Sequence, residues 1–136
     1  MRFMIIGKAT RETEQGALPP PEAFEAMQKY NEELVKAGIL LAAEGLAPTS
    51  KGARVKFSGD KRIVIDGPFT ETKELLAGFS IIQVKSLEEA IEWVKRAPNV
   101  YSPSGEAEVE IRKLMDVEDF GEGFMPNEEV AKVKFK

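Results

Sequence analysis

The sequence predicts an α+β fold of the ferredoxin-like kind: an antiparallel sheet in a two-layer sandwich with two helices on one face, in β-α-β-β-β-α-β order. Two observations predict it. Two stretches carry apolar residues at helical spacing between start and stop signals. Short apolar or alternating stretches bounded by turn residues surround them. Helices and antiparallel strands in that order pack as two layers around one core.

The elements follow in order. Arg2 to Gly7 is short and apolar and reads as a strand; Lys8 to Leu18 is polar and reads as a loop. Pro19-Pro20-Pro21 precedes the first helix, since proline is tolerated at the first helical position. Phe24, Met27, Leu34 and Val35 fall at helical spacing, and Gly38 is a stop signal, which gives a helix from about Pro21 to Ala37. Ile39 to Leu46 is a strand ended by Ala47-Pro48. Arg54 to Phe57 and Arg62 to Asp66 flank Ser58-Gly59-Asp60-Lys61, a hairpin connection. Gly67-Pro68 breaks the second of these strands, and a polar loop runs from Phe69 to Glu74. Ala77 to Val84 is a further strand, with Gly78 as a candidate bulge. Ser86-Leu87-Glu88-Glu89 fits a capping box, followed by an apolar stripe of Leu87, Ala90, Ile91 and Val94. Glu108 to Leu114 alternates charged and apolar residues and reads as a half-buried strand. Residues 1–115 thus form one domain, and 116–136 form an extension, anchored through Phe120 or Phe124 on the domain or on a partner subunit.

Bulk properties exclude several chemistries. The 136 residues suffice for one domain with its own core. There is no cysteine, which removes thiol catalysis, disulfides and thiolate metal sites, and no histidine, which removes the usual general base near neutral pH and the commonest metal ligand. A net charge of −4 disfavours nucleic acid as a partner. Apolar runs fall far short of the roughly 20 residues of a membrane span, and the N-terminus lacks a leader pattern. The expectation is a cytoplasmic protein with no metal, no cofactor, and no nucleic-acid or membrane partner.

The strands at Ile39 and Ala77 are apolar on both sides, which predicts an apolar sheet face away from the helices. Such a face left in water is a binding surface. Pairing with a second copy would cover it and enclose a cavity for a small molecule.

A resemblance enters with Asp66-Gly67-Pro68-Phe69 followed by Thr70-Glu71-Thr72-Lys73-Glu74. This run resembles the signature of the DGPF-type branch of the YCII-related family. Glu44-Gly45-Leu46 with Pro48, Gly78-Phe79, Ser86 to Ala90 with Trp93, Glu108 to Arg112, and Glu118 to Glu122 resemble other parts of it. The resemblance implies a ferredoxin-like fold in a dimeric α/β barrel and a largely unassigned biochemical role, with some members resembling enzymes and a relative acting as a dehydrochlorinase. DGPF-type genes often lie beside extracytoplasmic-function sigma factors, which implies an accessory or regulatory role. A His-Asp dyad proposed for the shorter, YciI-like branch does not carry over, because this chain has no histidine.

Candidate site residues follow. Asp66 ends the apolar strand Ile63-Val64-Ile65, where desolvation would make it a general base or acid; the plainer reading is a turn residue. Glu44 lies among apolar and small residues and would partner Asp66 in catalysis, or form a salt bridge to Arg54, Arg62 or Arg112. Thr70, Glu71 and Lys73 would bind a ligand at the cavity mouth, or are simply solvated. Arg112 and Glu110 would line the cavity, or pair with their own copies across a dimer. Three functions are open: a small-molecule-binding homodimer, a cofactor-free lyase or isomerase with Asp66 as base, and a protein-interaction partner using the tail.

Overall fold

The computed structural model describes residues 1–71, 74–100 and 105–120. Six strands form, at the six stretches the sequence marks out, although the β-α-β-β-β-α-β order counts only five. They are β1 (Arg2–Lys8), β2 (Leu40–Gly45), β3 (Ala53–Ser58), β4 (Lys61–Asp66), β5 (Leu76–Gln83) and β6 (Val109–Lys113). Helices α1 (Arg11–Glu14), α2 (Pro21–Lys36) and α3 (Leu87–Lys95) connect them. The main sheet runs β2-β5-β1-β6 with every pairing antiparallel. Read without the hairpin, its strands lie in the order fourth, first, third, second. With α2 and α3 on one face this is the ferredoxin-like α+β fold.

Local chemistry sets each helix. Pro21 opens α2, and Gly38, at φ 74°, follows its end in the left-handed region that glycine adopts without penalty. Ser86 caps α3 by accepting from the Glu89 N–H at 3.1 Å, while the Glu89 carboxylate accepts from the Lys85 N–H at 2.9 Å. The polar stretch after β1 contains α1, which the loop reading missed. Thr10 and Thr13 cap it reciprocally: the Thr13 N–H donates to Thr10 Oγ1 and the Thr10 N–H to Thr13 Oγ1.

Register divides the sheet into two faces. Phe3, Ile5 and Gly7 of β1 stand beside Ile82, Ser80 and Gly78 of β5 on the helix face. Met4, Ile6, Phe79, Ile81, Glu110 and Arg112 stand on the other. The core is Phe3, Leu34, Ile39, Ile82, Val84 and Ala90, with Ile5, Tyr30, Trp93 and Ile111 packed against it. Phe24 and Val35, which share the helical spacing of Met27 and Leu34, are exposed. The buried stripe instead runs through Met27, Tyr30 and Leu34, and Val35 lies about 100° further round the helix. Leu87 is likewise exposed, leaving Ala90 as the buried residue of α3.

The open face is not bare, contrary to expectation. Ile81 is only 1% exposed and Ile6 only 9%, with Met4 and Phe79 half-buried. A cluster of apolar side chains in water lies on the β3–β4 hairpin, joined through Gly59 at φ 59°. Val55, Phe57 and Val64 project from one face and Ile63 and Ile65 from the other, and all five are exposed. Beyond Asp116, the expected extension begins with a 3-10 turn, Val117–Phe120. It is tied back to β6 by Lys113 Nζ–Asp119 Oδ2 at 2.6 Å and to β1 by Arg2–Asp116 at 3.7 Å. Phe120 is exposed, and Phe124 lies outside the described residues.

Candidate functional site

A pocket of about 350 Å³ opens on the helix face of the sheet. Its cause is the size of the side chains in successive rows across the strands. Phe3, Ile82 and Leu40 fill one row, and Ile5, Ser80 and Ala43 form a smaller one two residues on. The next row is Gly7, Gly78 and Gly45, with no side chains. The helices rest on the filled end and span a gap over the glycine end. Phe24, Met27, Tyr30 and Leu34 of α2 form one wall, and Val94, Ala97, Pro98 and Val100 another.

Few polar groups face this space, as in most small-molecule sites. The Tyr30 hydroxyl donates to the Trp93 carbonyl at 2.7 Å, which leaves its oxygen free to accept. Burial pushes the Tyr30 pKa up, against the pull of Arg96 and with some help from Glu33, so the phenol keeps its proton. Asn31 and Ser80 also line the pocket, and their side chains have no hydrogen-bond partner among the described residues. No lysine or arginine is among the described lining residues. Glu44 touches the pocket from the strand edge. Strand alternation places its side chain with Phe79 on the other face.

A broader cleft of about 830 Å³ adjoins it between α1, the loop to α2, and the chain after β2. The two share Gly45, Ala77 and Val100. Glu14 of α1 lies on this cleft and fixes its far wall: Thr49 donates its hydroxyl to Glu14 Oε2 at 2.6 Å and its N–H to Oε1 at 3.2 Å.

The Asp66-to-Phe69 run forms the root of the hairpin and packs on the turn at Thr49 to Gly52. The Gly67 N–H donates to the Gly52 carbonyl at 3.0 Å, and the Phe69 N–H donates to Thr49 Oγ1 at 3.0 Å. The Gly67–Pro68 bond is cis. Arg54 lies over the Phe69 ring at 3.8 Å and pairs with Glu71 at 3.6 Å. These contacts account for the run by packing: backbone meets backbone at Gly67, and an aromatic ring carries a guanidinium.

The sequence candidates are therefore dispersed. Asp66 is exposed at the end of β4 and lines neither cavity. Glu44 pairs with none of Arg54, Arg62 or Arg112. Those arginines are engaged by Phe69 and Glu71, by Phe57, and by Glu110. Thr70 and Glu71 are exposed, and Lys73 lies outside the described residues. Gly7, Ala43, Gly45, Gly78 and Ser80, which make the pocket, were missed. Their signal was the run of small residues in step along three strands.

Glu110 and Arg112 pair within one chain. Glu110 accepts from Lys8 at 3.0 Å and from Arg112 at 3.3 Å. The hydrogen bond from Lys8, then that from Arg112, hold the Glu110 carboxyl below the ordinary glutamate range. A carboxyl with a lower pKa in the folded than in the unfolded state stabilises the fold above its unfolded value. That contribution fades as pH falls through the folded value. Glu110→Gln should therefore unfold at lower urea than wild type at pH 7, and the two midpoints should converge as pH falls below the folded-state value of Glu110.

The architecture and pocket define a ferredoxin-like α+β protein with a largely apolar pocket between its helices and its sheet. The YCII-related domain profile matches residues 1–115, and the chain belongs to that family. An uncharacterised protein of Rhizobium meliloti (strain 1021) is 41% identical over 75 residues, covering 55% of this chain and 60% of that protein's length. Among solved structures, the chain is similar to the 5-chloro-2-hydroxyhydroquinone dehydrochlorinase TftG of Burkholderia phenoliruptrix AC1100, solved with 2,5-dihydroxybenzoquinone. That match has a TM-score of 0.47 at 17% identity and covers 87% of this chain and 97% of the other.

Proposed function

We propose that this protein binds a small molecule in the pocket between α2, α3 and the glycine-rich end of the sheet. The observation that carries this reading is the Gly7-Gly78-Gly45 row, which keeps helices and sheet apart where Asn31 and Ser80 have no internal partner. Side chains of ordinary size in that row would close the gap. Asp66 lies outside it, so binding, not a lyase step through Asp66, is the function the geometry supports best.

The test is a thermal-shift screen of metabolites on wild type and on Ser80→Leu, whose larger side chain enters the pocket. A ligand at 100 times its Kd should stabilise the wild type by about 2.7 kcal/mol. The same compound should leave Ser80→Leu unmoved, while the variant's own melting point stays within a few degrees of wild type. Hits that persist in Ser80→Leu would place binding elsewhere.

A homodimer is part of the proposal, and the β3–β4 hairpin supports it. A two-stranded hairpin is marginal in water by itself, and this one exposes apolar side chains on both faces. A second copy covering Phe57 and Val64 would relieve that exposure. Sedimentation of wild type and Val64→Asp tests it: a dimer and a monomer respectively are expected, and a monomeric wild type contradicts it.

A further inference from the structure

We infer that the ligand of this pocket is electrically neutral, with an apolar body and one or two groups that both donate and accept hydrogen bonds. The inference rests on the pocket being the binding site. The described walls hold no lysine or arginine, so an anion entering would lose its water and gain no counter-charge. The cation closest in influence, Arg96, acts on Tyr30 from outside. It is stacked over the Trp93 ring at 4.6 Å, does not line the pocket, and is opposed by Glu33. A cation fares no better, because Glu44, the lining carboxylate, is carried by strand alternation to the opposite face.

What remains is a neutral polar set. The Asn31 amide donates and accepts, the Ser80 hydroxyl does both, and the Tyr30 oxygen accepts while its hydrogen serves Trp93. A hydroxyl or carboxamide on an apolar frame can both donate and accept here, whereas a carboxylate or phosphate could accept from Asn31 and Ser80 but would bring a charge that no lining cation offsets.

Two dyes that share one frame and differ in charge test this: N-phenyl-1-naphthylamine, which is neutral, and 1-anilinonaphthalene-8-sulfonate, which is anionic. Each is titrated by fluorescence into wild type, Ser80→Leu, and Ala43→Leu, which fills the same row from the neighbouring strand and serves if Ser80→Leu misfolds. The neutral dye should bind wild type at least about tenfold tighter than the sulfonate, and a filled pocket should abolish that binding. Equal or tighter binding of the sulfonate, lost on filling the pocket, would overturn neutrality and leave the pocket reading standing. If neither dye binds, or if filling the pocket changes nothing, the pocket reading fails and takes the inference with it.

Discussion

Leu34→Ala should destabilise the domain by about 2–5 kcal/mol, the cost of emptying a well-packed core site. Leu34 is 1% exposed and joins α2 to Phe3, Ile39 and Ile82 of the filled end of the core. It also lines the pocket, so the space left by its truncation would merge with an existing cavity. The melting temperature should fall by on the order of 10 °C. Val35→Ala, one residue further along the same helix, should change stability by about 0.5 kcal/mol or less, because Val35 is exposed. Urea unfolding of the two variants checks the phase of α2 directly. Equal losses would mean that the helix packs through a wider face than the Met27-Tyr30-Leu34 stripe.

Gly67→Ala should cost about 1–3 kcal/mol by forcing backbone apart. A Cβ on Gly67 would collide with the Thr49 carbonyl oxygen, and that atom belongs to a main chain pinned by Glu14. Relief requires the hairpin root to lift from the Pro48-to-Ser50 turn, which breaks the Phe69 N–H to Thr49 bond. The hairpin makes few contacts with the main sheet, so the damage should stay local. Limited proteolysis within residues 53–66 should then accelerate roughly tenfold, as 1.4 kcal/mol of easier opening implies. Amide protection in β1 and β5 should change little. Loss of protection throughout the sheet would show that this junction supports the whole fold.

Much of the architecture was legible because its signals are local. Proline before α2, Gly38 after it, Ser86 before α3 and Gly59 in the hairpin each act through the backbone of their own neighbourhood. Others were not, for stated reasons. Helix α1 hides in a polar stretch because its cap uses Thr13 where a glutamate is the familiar signal. The phase of α2 was less legible, because helical spacing shows that a stripe exists without fixing its centre to better than one residue. The pocket depends on register: Gly7, Gly78 and Gly45 are far apart in sequence and meet only once the strands pair. Asp66 looked like a site because it closes an apolar strand. That strand is half of an exposed hairpin, and the run that follows serves to dock it.

The central claim is that the binding site lies inside one chain on the helix face. It is tested most directly by following amide nitrogen and proton shifts of the labelled protein as N-phenyl-1-naphthylamine is added. The account predicts that the largest changes fall on Gly7, Asn31, Gly45, Gly78 and Ser80. Changes centred instead on residues 66–71, or on Ile6, Ile81 and Arg112 of the opposite face, would contradict it.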